Sequence, residues 1–141
     1  MESLNPDFLD FITLLEKQSV EYLIVGGYAV GFHGFPRYTG DIDFFVAVSE
    51  TNAQRLMEVF QEFGFGGIGI EKPDFLKPSL IIEIGREPRK IQVLTGIDGV
   101  NFDECRKTAV ECDYLGRKCI GDLSRQARNQ SYYCAINHMG A

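Results

Sequence analysis

Several features that would place this chain in a specialised class are missing from its sequence. No run approaches about eighteen apolar residues, and the first residues, Met1 to Leu4, have neither a basic start nor an apolar signal core. We therefore expect a cytoplasmic protein without a membrane segment. The four cysteines show no C-x-x-C spacing, which argues against a zinc site and favours reduced thiols.

The chain also lacks the basic excess of a general nucleic-acid-binding protein. It has 14 lysines and arginines against 20 aspartates and glutamates, a net charge of -6. A general binder should present a basic face, so this class is excluded, although one structured RNA end remains open as a partner. At 141 residues and 45% hydrophobic content, the chain has the size and composition of one globular domain.

The most informative segment runs from Tyr22 to Val48, YLIVGGYAVGFHGFPRYTGDIDFFVAV, and its second apolar strand contains Asp41 and Asp43. Side chains alternate along a strand, so these two acids point the same way, with Cα atoms roughly 7 Å apart. Two unpaired carboxylates repel each other and raise each other's pKa. Mg²⁺ removes that repulsion and usually completes its coordination with substrate phosphate oxygens. The pattern predicts that Asp41 and Asp43 are metal ligands beside a nucleoside triphosphate.

A predicted phosphate-binding element precedes the acids. Gly26 and Gly27 end a predicted strand, Glu21 to Val25, and begin a short predicted helix whose free N–H groups attract phosphate. Without a Cβ, these glycines allow phosphate to approach the backbone. Arg37 and Thr39 add a charged donor and a hydroxyl. Each part alone is usually structural, but their occurrence within one strand-turn-helix-loop-strand unit favours a binding site.

The glycine pair followed by Asp-Ile-Asp resembles the signature of the nucleotidyltransferase superfamily, which has the polymerase-beta-like fold. The resemblance is greatest to small bacterial members related to abortive-infection and minimal nucleotidyltransferases, and it covers about residues 21–95. It implies that Gly26 and Gly27 hold the triphosphate and that Asp41 and Asp43 hold Mg²⁺. It also implies a third carboxylate, on a later strand, that helps to deprotonate the acceptor hydroxyl.

The sequence departs from this pattern at the third carboxylate, which falls on Gln92. An amide cannot serve as the base. If the hairpin at 80–95 turns over Gly85 to Pro88, Glu83 lies across from Lys90 and on the same face as Gln92. Glu83 then either replaces the base or is a salt-bridged surface residue. Gln92 leaves open a weak activity, an altered mechanism, or a nucleotide site that does not turn over.

The order of predicted elements indicates a single α/β (α+β) domain with a mixed twisted sheet of about four or five strands flanked by helices. We expect a nucleotide-binding core at 1–95 and a short helical or hairpin extension at 96–141. One helix should begin at Pro6 and another after a cap at Ser49 or Thr51, ending at Gly64.

The part after residue 95 is expected to contain three elements. They are a helix at 101–110, a short strand or hairpin at 113–120, and a final helix from Asp122 onward. The last stretch is atypical of the superfamily, whose members usually continue with a longer, lysine-containing helix.

Two functional hypotheses follow from these residues. The first is an enzyme that transfers a nucleoside monophosphate from a nucleoside triphosphate to a hydroxyl on a protein, an RNA end or a small molecule. The second is a degenerate relative that binds nucleotide or a partner protein, in the manner of an antitoxin. The acid pair and the glycines favour the first hypothesis, whereas Gln92 favours the second. The oligomeric state is not encoded in any pattern of the chain.

Overall fold

The computed structural model describes residues 6–25, 41–64, 69–86, 89–108, 110–111 and 134–135 of the chain. Its elements, in chain order, are α1 (Pro6–Lys17), β1 (Tyr22–Val25), β2 (Ile42–Val46), α2 (Glu50–Phe63), a 3₁₀ helix (Lys72–Leu76), β3 (Ile81–Arg86), β4 (Arg89–Leu94), α3 (Phe102–Thr108), β5 (Val110–Glu111) and β6 (Cys134–Ala135).

The first two helices begin and end where their sequence signals predict. Helix α1 starts at Pro6, which suits a first helical position because its missing N–H would have no partner there. Ser49 caps α2, and its side chain accepts a hydrogen bond from the backbone N–H of Asn52. Gly64 ends α2 in the left-handed conformation, at a φ of 100°, which glycine adopts without strain.

Helices α1 and α2 cover one face of the sheet. The ring of Phe11 in α1 lies 5.4 Å from that of Phe44 in β2 and 5.8 Å from that of Phe60 in α2. Alternate residues of β2 join this core, as the period of a strand requires: Ile42, Phe44 and Val46. The helices therefore bury one face of β2 and leave Asp43 on the other.

The sheet is mixed, and the strand order among the described residues is β3-β4-β2-β1-β6-β5. The neighbouring strands β2 and β4 are parallel, whereas β1 runs antiparallel to β2 and β3 runs antiparallel to β4. Four strands have four or more residues and the two others have two each. The predicted class, an α+β domain with a mixed sheet flanked by helices, is confirmed.

The register of the β3–β4 hairpin differs from the one expected. Arg86 pairs with Arg89, so only two residues connect the strands, and the predicted turn over Gly85 to Pro88 is wrong. The shorter connection moves the register by two residues, which places Glu83 opposite Gln92 instead of opposite Lys90. A shift of two keeps every side chain on its face, so Glu83 and Gln92 still share one.

The last part of the chain also differs from expectation. Helix α3 ends at Thr108, and Val110, expected within that helix, belongs to β5. Cys134 and Ala135 form a strand that pairs with β1, so the helix predicted from Asp122 onward does not extend through them. The short strand or hairpin predicted at 113–120 lies outside the described residues. None of the described helices has the length and apolar character that crossing a bilayer requires.

Asn52 connects α2 to one end of the β1–β2 pair. Its amide donates to the carbonyl oxygens of Ala47, at 2.7 Å, and Glu21, at 3.2 Å, and its Oδ1 accepts from the Glu21 N–H at 2.8 Å. The side chain is 2% exposed, so these backbone groups have little access to water that could replace it.

We expect Asn52→Ala to lower the free energy of unfolding by about 2–3 kcal/mol, because it leaves buried backbone groups without partners. Urea denaturation followed by circular dichroism measures this loss. The matched control is Gln54→Ala, which truncates an exposed amide on the same helix. A loss no larger than that of the control would show that Asn52 does not hold the strand ends.

Candidate functional site

Asp41 and Asp43 lie on the face of the sheet opposite helices α1 and α2. Asp41 immediately precedes β2 and Asp43 is its second residue, while Ile42 and Phe44 point into the core and are fully buried. The alternation along β2 thus places both carboxylates on one side, as the sequence predicts.

Asp41 is fixed by the neighbouring strand. Its Oδ1 accepts a hydrogen bond of 3.0 Å from the backbone N–H of Lys90 in β4. This bond extends the parallel β2–β4 pairing, which begins at Ile42 and Ile91, by one residue. The carboxylate position is therefore set by the sheet.

Asp43 is in the opposite situation. Its Oδ1 is buried and has no hydrogen-bond partner among the described residues. The pKa of Asp43 is raised to about 6, chiefly by burial and then by the negative charge of Asp41, and the ammonium of Lys90 partly opposes both. A buried carboxylate oxygen without a donor is unfavourable, so this position is suited to a cation.

Gln92 and Glu83 continue the row across the sheet from Asp43. Gln92 pairs with Asp43 across the parallel strands, and Glu83 pairs with Gln92 across the hairpin. The Gln92 Nε2 donates to Glu83 Oε2 at 2.8 Å, and Lys90 Nζ lies 3.4 Å from the same oxygen. Strands are spaced about 4.8 Å apart, so Glu83 lies one strand farther from Asp43 than Gln92 does.

The donor set matches a hard cation that is shared with a ligand. Within the described ranges, no group of three or more His, Cys, Asp or Glu side chains is arranged to hold a metal ion. Mg²⁺ commonly binds through one or two carboxylates together with substrate phosphates. Asp41 and the partnerless Oδ1 of Asp43 fit that mode of binding.

The residues predicted to hold phosphate, Gly26, Gly27, Arg37 and Thr39, lie outside the described residues. The strand that leads to them ends beside the acids, because Val25, the last residue of β1, pairs with Asp43. Val25, which directly precedes the glycine pair in the sequence, is therefore adjacent to the candidate metal site.

Comparisons with known proteins identify the fold. No protein-family model matches the chain, and no curated protein matches it. Among solved structures, it is similar to the crystal structure of a presumed nucleotidyltransferase from Thermotoga maritima, with a TM-score of 0.52 and 15% sequence identity. The similarity covers 92% of this chain and 86% of that one. The chain has a nucleotidyltransferase-like fold. At this level of identity the similarity establishes the architecture and no residue's role.

A cleft of about 320 Å³ lies at the other end of the two central strands of this nucleotidyltransferase-like fold. It is bounded by the residues that follow β2 and β4 and by the start of α3, including Val48, Gly96 and Phe102. The acids lie toward the opposite end of β2, so this cleft and the acid pair are separate features.

Two contacts in the site were not expected from the sequence. One is the bond from the Lys90 backbone to Asp41, which no side-chain pattern could indicate because the donor is a main-chain N–H. The other is the bond between Gln92 and Glu83. A hairpin with a two-residue connection would have predicted their pairing, since both residues were already placed on one face.

We expect Asp43→Asn to stabilise the metal-free protein, and to do so more at neutral than at acidic pH. The pKa of Asp43 is raised from 3.8 to about 6 in the folded state, so the folded protein retains a proton that the unfolded chain has released. Wild-type stability should therefore fall between pH 3.8 and about pH 6 and remain constant above. Asparagine carries no charge and avoids this loss, so Asp43→Asn should raise the free energy of unfolding at neutral pH by about 1–2 kcal/mol. This increase is smaller than the full pKa shift implies, because Asp43 is partly exposed and solvent screens its charge.

Urea denaturation in the presence of EDTA, repeated across this pH range, measures the gain. Asp98→Asn is the matched control for the loss of one negative charge, because it removes a carboxylate from an exposed turn. A destabilised Asp43→Asn variant, or a gain that does not change with pH, would contradict a desolvated Asp43.

Proposed function

We propose that this protein is a Mg²⁺-dependent nucleotidyltransferase that transfers a nucleoside monophosphate from a nucleoside triphosphate to a hydroxyl of a protein, an RNA end or a small molecule. One observation carries the proposal: the buried, partnerless Oδ1 of Asp43 lies on the same face as Asp41, which the sheet holds in place. The nucleotidyltransferase-like fold supports the same class of activity.

Asp41 and Asp43 would bind the cation, and Gly26, Gly27, Arg37 and Thr39 would bind the phosphates. When bound, Mg²⁺ supplies positive charge that offsets the negative charge of the triphosphate. The backbone bond from Lys90 keeps the Asp41 carboxylate in one orientation, so less conformational freedom is lost on binding.

The proposed transfer forms a bond between the acceptor oxygen and the α-phosphorus. The bond from that phosphorus to the oxygen bridging the β-phosphate breaks, and pyrophosphate leaves. The acceptor proton must pass to a base, and Gln92, which pairs with Asp43 across the parallel strands, cannot take it. Glu83 already accepts from Gln92 and Lys90, so we assign it no base role.

The amide at position 92 favours a second candidate function. A protein with this site could bind a metal-nucleotide complex without turnover, or act through a partner protein as an antitoxin-like subunit. The observation that favours it is that Gln92 donates its amide N–H to Glu83. An amide cannot accept the acceptor proton, so position 92 supplies no base. The nonenzymatic nucleotide binder would share the metal site with the enzyme and differ from it only in the chemical step.

A thermal-shift panel of four nucleoside triphosphates, each with and without Mg²⁺, tests the nucleotide binding that the enzyme and the nonenzymatic nucleotide binder both require. We expect a nucleotide to stabilise the protein only when Mg²⁺ is also present, by about 2.7 kcal/mol at a nucleotide concentration one hundred times the Kd. Asp41→Asn should lose most of this shift. Its Oδ1 can still accept from Lys90, so the variant should keep its fold.

Asp98→Asn should retain the full shift, because its side chain is exposed in the turn that follows β4. The absence of any Mg²⁺-dependent shift in the wild-type protein would refute the enzyme and the nonenzymatic nucleotide binder. An equal shift in Asp41→Asn would remove the metal role of that residue.

Transfer of radiolabel from a nucleoside triphosphate to components of a lysate separates the enzyme from the nonenzymatic binder. If only a base is missing, Gln92→Asp should raise the transfer rate by roughly 100-fold or more. Gln92→Asn is the matched control, because it has the same length as the aspartate but keeps the amide. Equal rates in the two variants would show that position 92 does not limit proton removal.

A further inference from the structure

Gln92 lies between two carboxylates and can donate to either. Its neighbour across the parallel strands is Asp43, and its neighbour across the hairpin is Glu83. All three side chains lie on the face of the sheet opposite helices α1 and α2. The direction of the amide therefore determines what Gln92 presents to the candidate metal site.

The structure shows which neighbour receives the N–H group. Gln92 Nε2 lies 2.8 Å from Glu83 Oε2, whereas Asp43 Oδ1 has no partner among the described residues. An ionised carboxylate accepts hydrogen bonds and cannot donate them, so the amide must turn its NH₂ group toward Glu83. Its carbonyl oxygen, Oε1, is then turned away from Glu83.

We propose that Glu83 is a positioning residue that turns the Gln92 carbonyl oxygen toward Asp43 and so gives the cation site a third, neutral oxygen ligand. The inference rests on the proposed function, because it requires that Asp41 and Asp43 bind a divalent cation. Carboxylate and amide carbonyl oxygens together form a donor set that hard cations accept.

Lys90 supports this arrangement. Its ammonium lies 3.4 Å from the Glu83 oxygen that accepts from Gln92, and its side chain is 20% exposed, against 50% for Glu83. This ion pair links the Glu83 carboxylate to β4, the strand that contains Gln92. A contact of this kind to a group outside the coordination shell commonly changes metal affinity by about 10- to 100-fold.

Loss of the Glu83 carboxylate would have two effects on the cation site. The Gln92 amide would be free to rotate and to donate to the Asp43 oxygen that now lacks a partner. That bond would occupy a metal ligand and would turn an N–H group, instead of an oxygen, toward the cation. Glu83→Gln tests this, because the new amide can accept or donate and no longer imposes one orientation on Gln92.

Mn²⁺ titration of the 141-residue chain, with free Mn²⁺ measured by electron paramagnetic resonance, provides a readout independent of catalysis. We expect Glu83→Gln to weaken Mn²⁺ binding about tenfold. The chain offers a matched control in Glu62, which accepts from Gln18 at 2.9 Å and from Lys17 at 3.0 Å on the exposed surface. Glu62→Gln removes the same charge from the same kind of partners and should leave Mn²⁺ affinity unchanged.

A double-mutant cycle with Gln92→Met separates positioning from the electrostatic attraction of Glu83 for the cation. Methionine has a similar length but no amide, so the orientation effect disappears while the charge of Glu83 remains. We expect Glu83→Gln to change Mn²⁺ affinity by less than about twofold in the Gln92→Met background. A tenfold loss that persists in this background would assign the effect to charge alone and overturn the proposal.

The remaining outcomes are also distinct. If Glu83→Gln lowers Mn²⁺ affinity no more than Glu62→Gln does, the positioning role is overturned and the proposed function remains intact. A wild-type protein that binds no Mn²⁺ in the absence of nucleotide would overturn this inference and leave the proposed function intact, because that function requires the cation only together with the nucleotide.

Discussion

Asp43 carries a charged oxygen into the protein at a point where no described group donates to it, beside the second carboxylate of Asp41. A sheet built only for stability would gain from an apolar side chain there, because burial and mutual repulsion both oppose ionisation. The raised pKa of Asp43 expresses this conflict. A divalent cation would offset the negative charge of both carboxylates, and the neighbouring residues of the site would then surround that cation.

The mixed sheet determines those surroundings. Because β2 and β4 are parallel, the backbone of β4 can hold Asp41 while the next side chain on the same face, Gln92, lies beside Asp43. Because β3 returns antiparallel to β4, Glu83 reaches Gln92 from the far side. Three strands thus contribute to one polar row, and helices α1 and α2 cover the opposite face.

Helices α1 and α2, strands β1 to β4 and the facing of the acids could be predicted from the sequence, because each depends on local patterns. Ser49 and Gly64 bound α2, and the alternation around Asp43 assigns its face. The hairpin register was predicted incorrectly, because the sequence through Gly85 permits turns of more than one length. The strand at 134–135 was missed, because two residues give too short a pattern to distinguish a strand from a helix.

The contacts that define the site depend on pairing between distant segments, which no local pattern specifies. The Lys90 N–H that binds Asp41 is separated from it by 49 residues in sequence. The placement of Glu83 against Gln92 followed only once the register was known. Site residues could therefore be selected by chemistry, whereas their relations to one another required the fold.

The central claim is that Asp41 and Asp43 together bind a divalent cation in the presence of nucleotide. A crystal structure of the protein grown with Mn²⁺ and a nonhydrolysable nucleoside triphosphate analogue tests it most directly, because manganese can be located by its anomalous scattering. The account predicts an anomalous peak in contact with both carboxylates and with phosphate oxygens of the analogue. Bound analogue with its metal elsewhere, and Asp43 Oδ1 still without a partner, would contradict it.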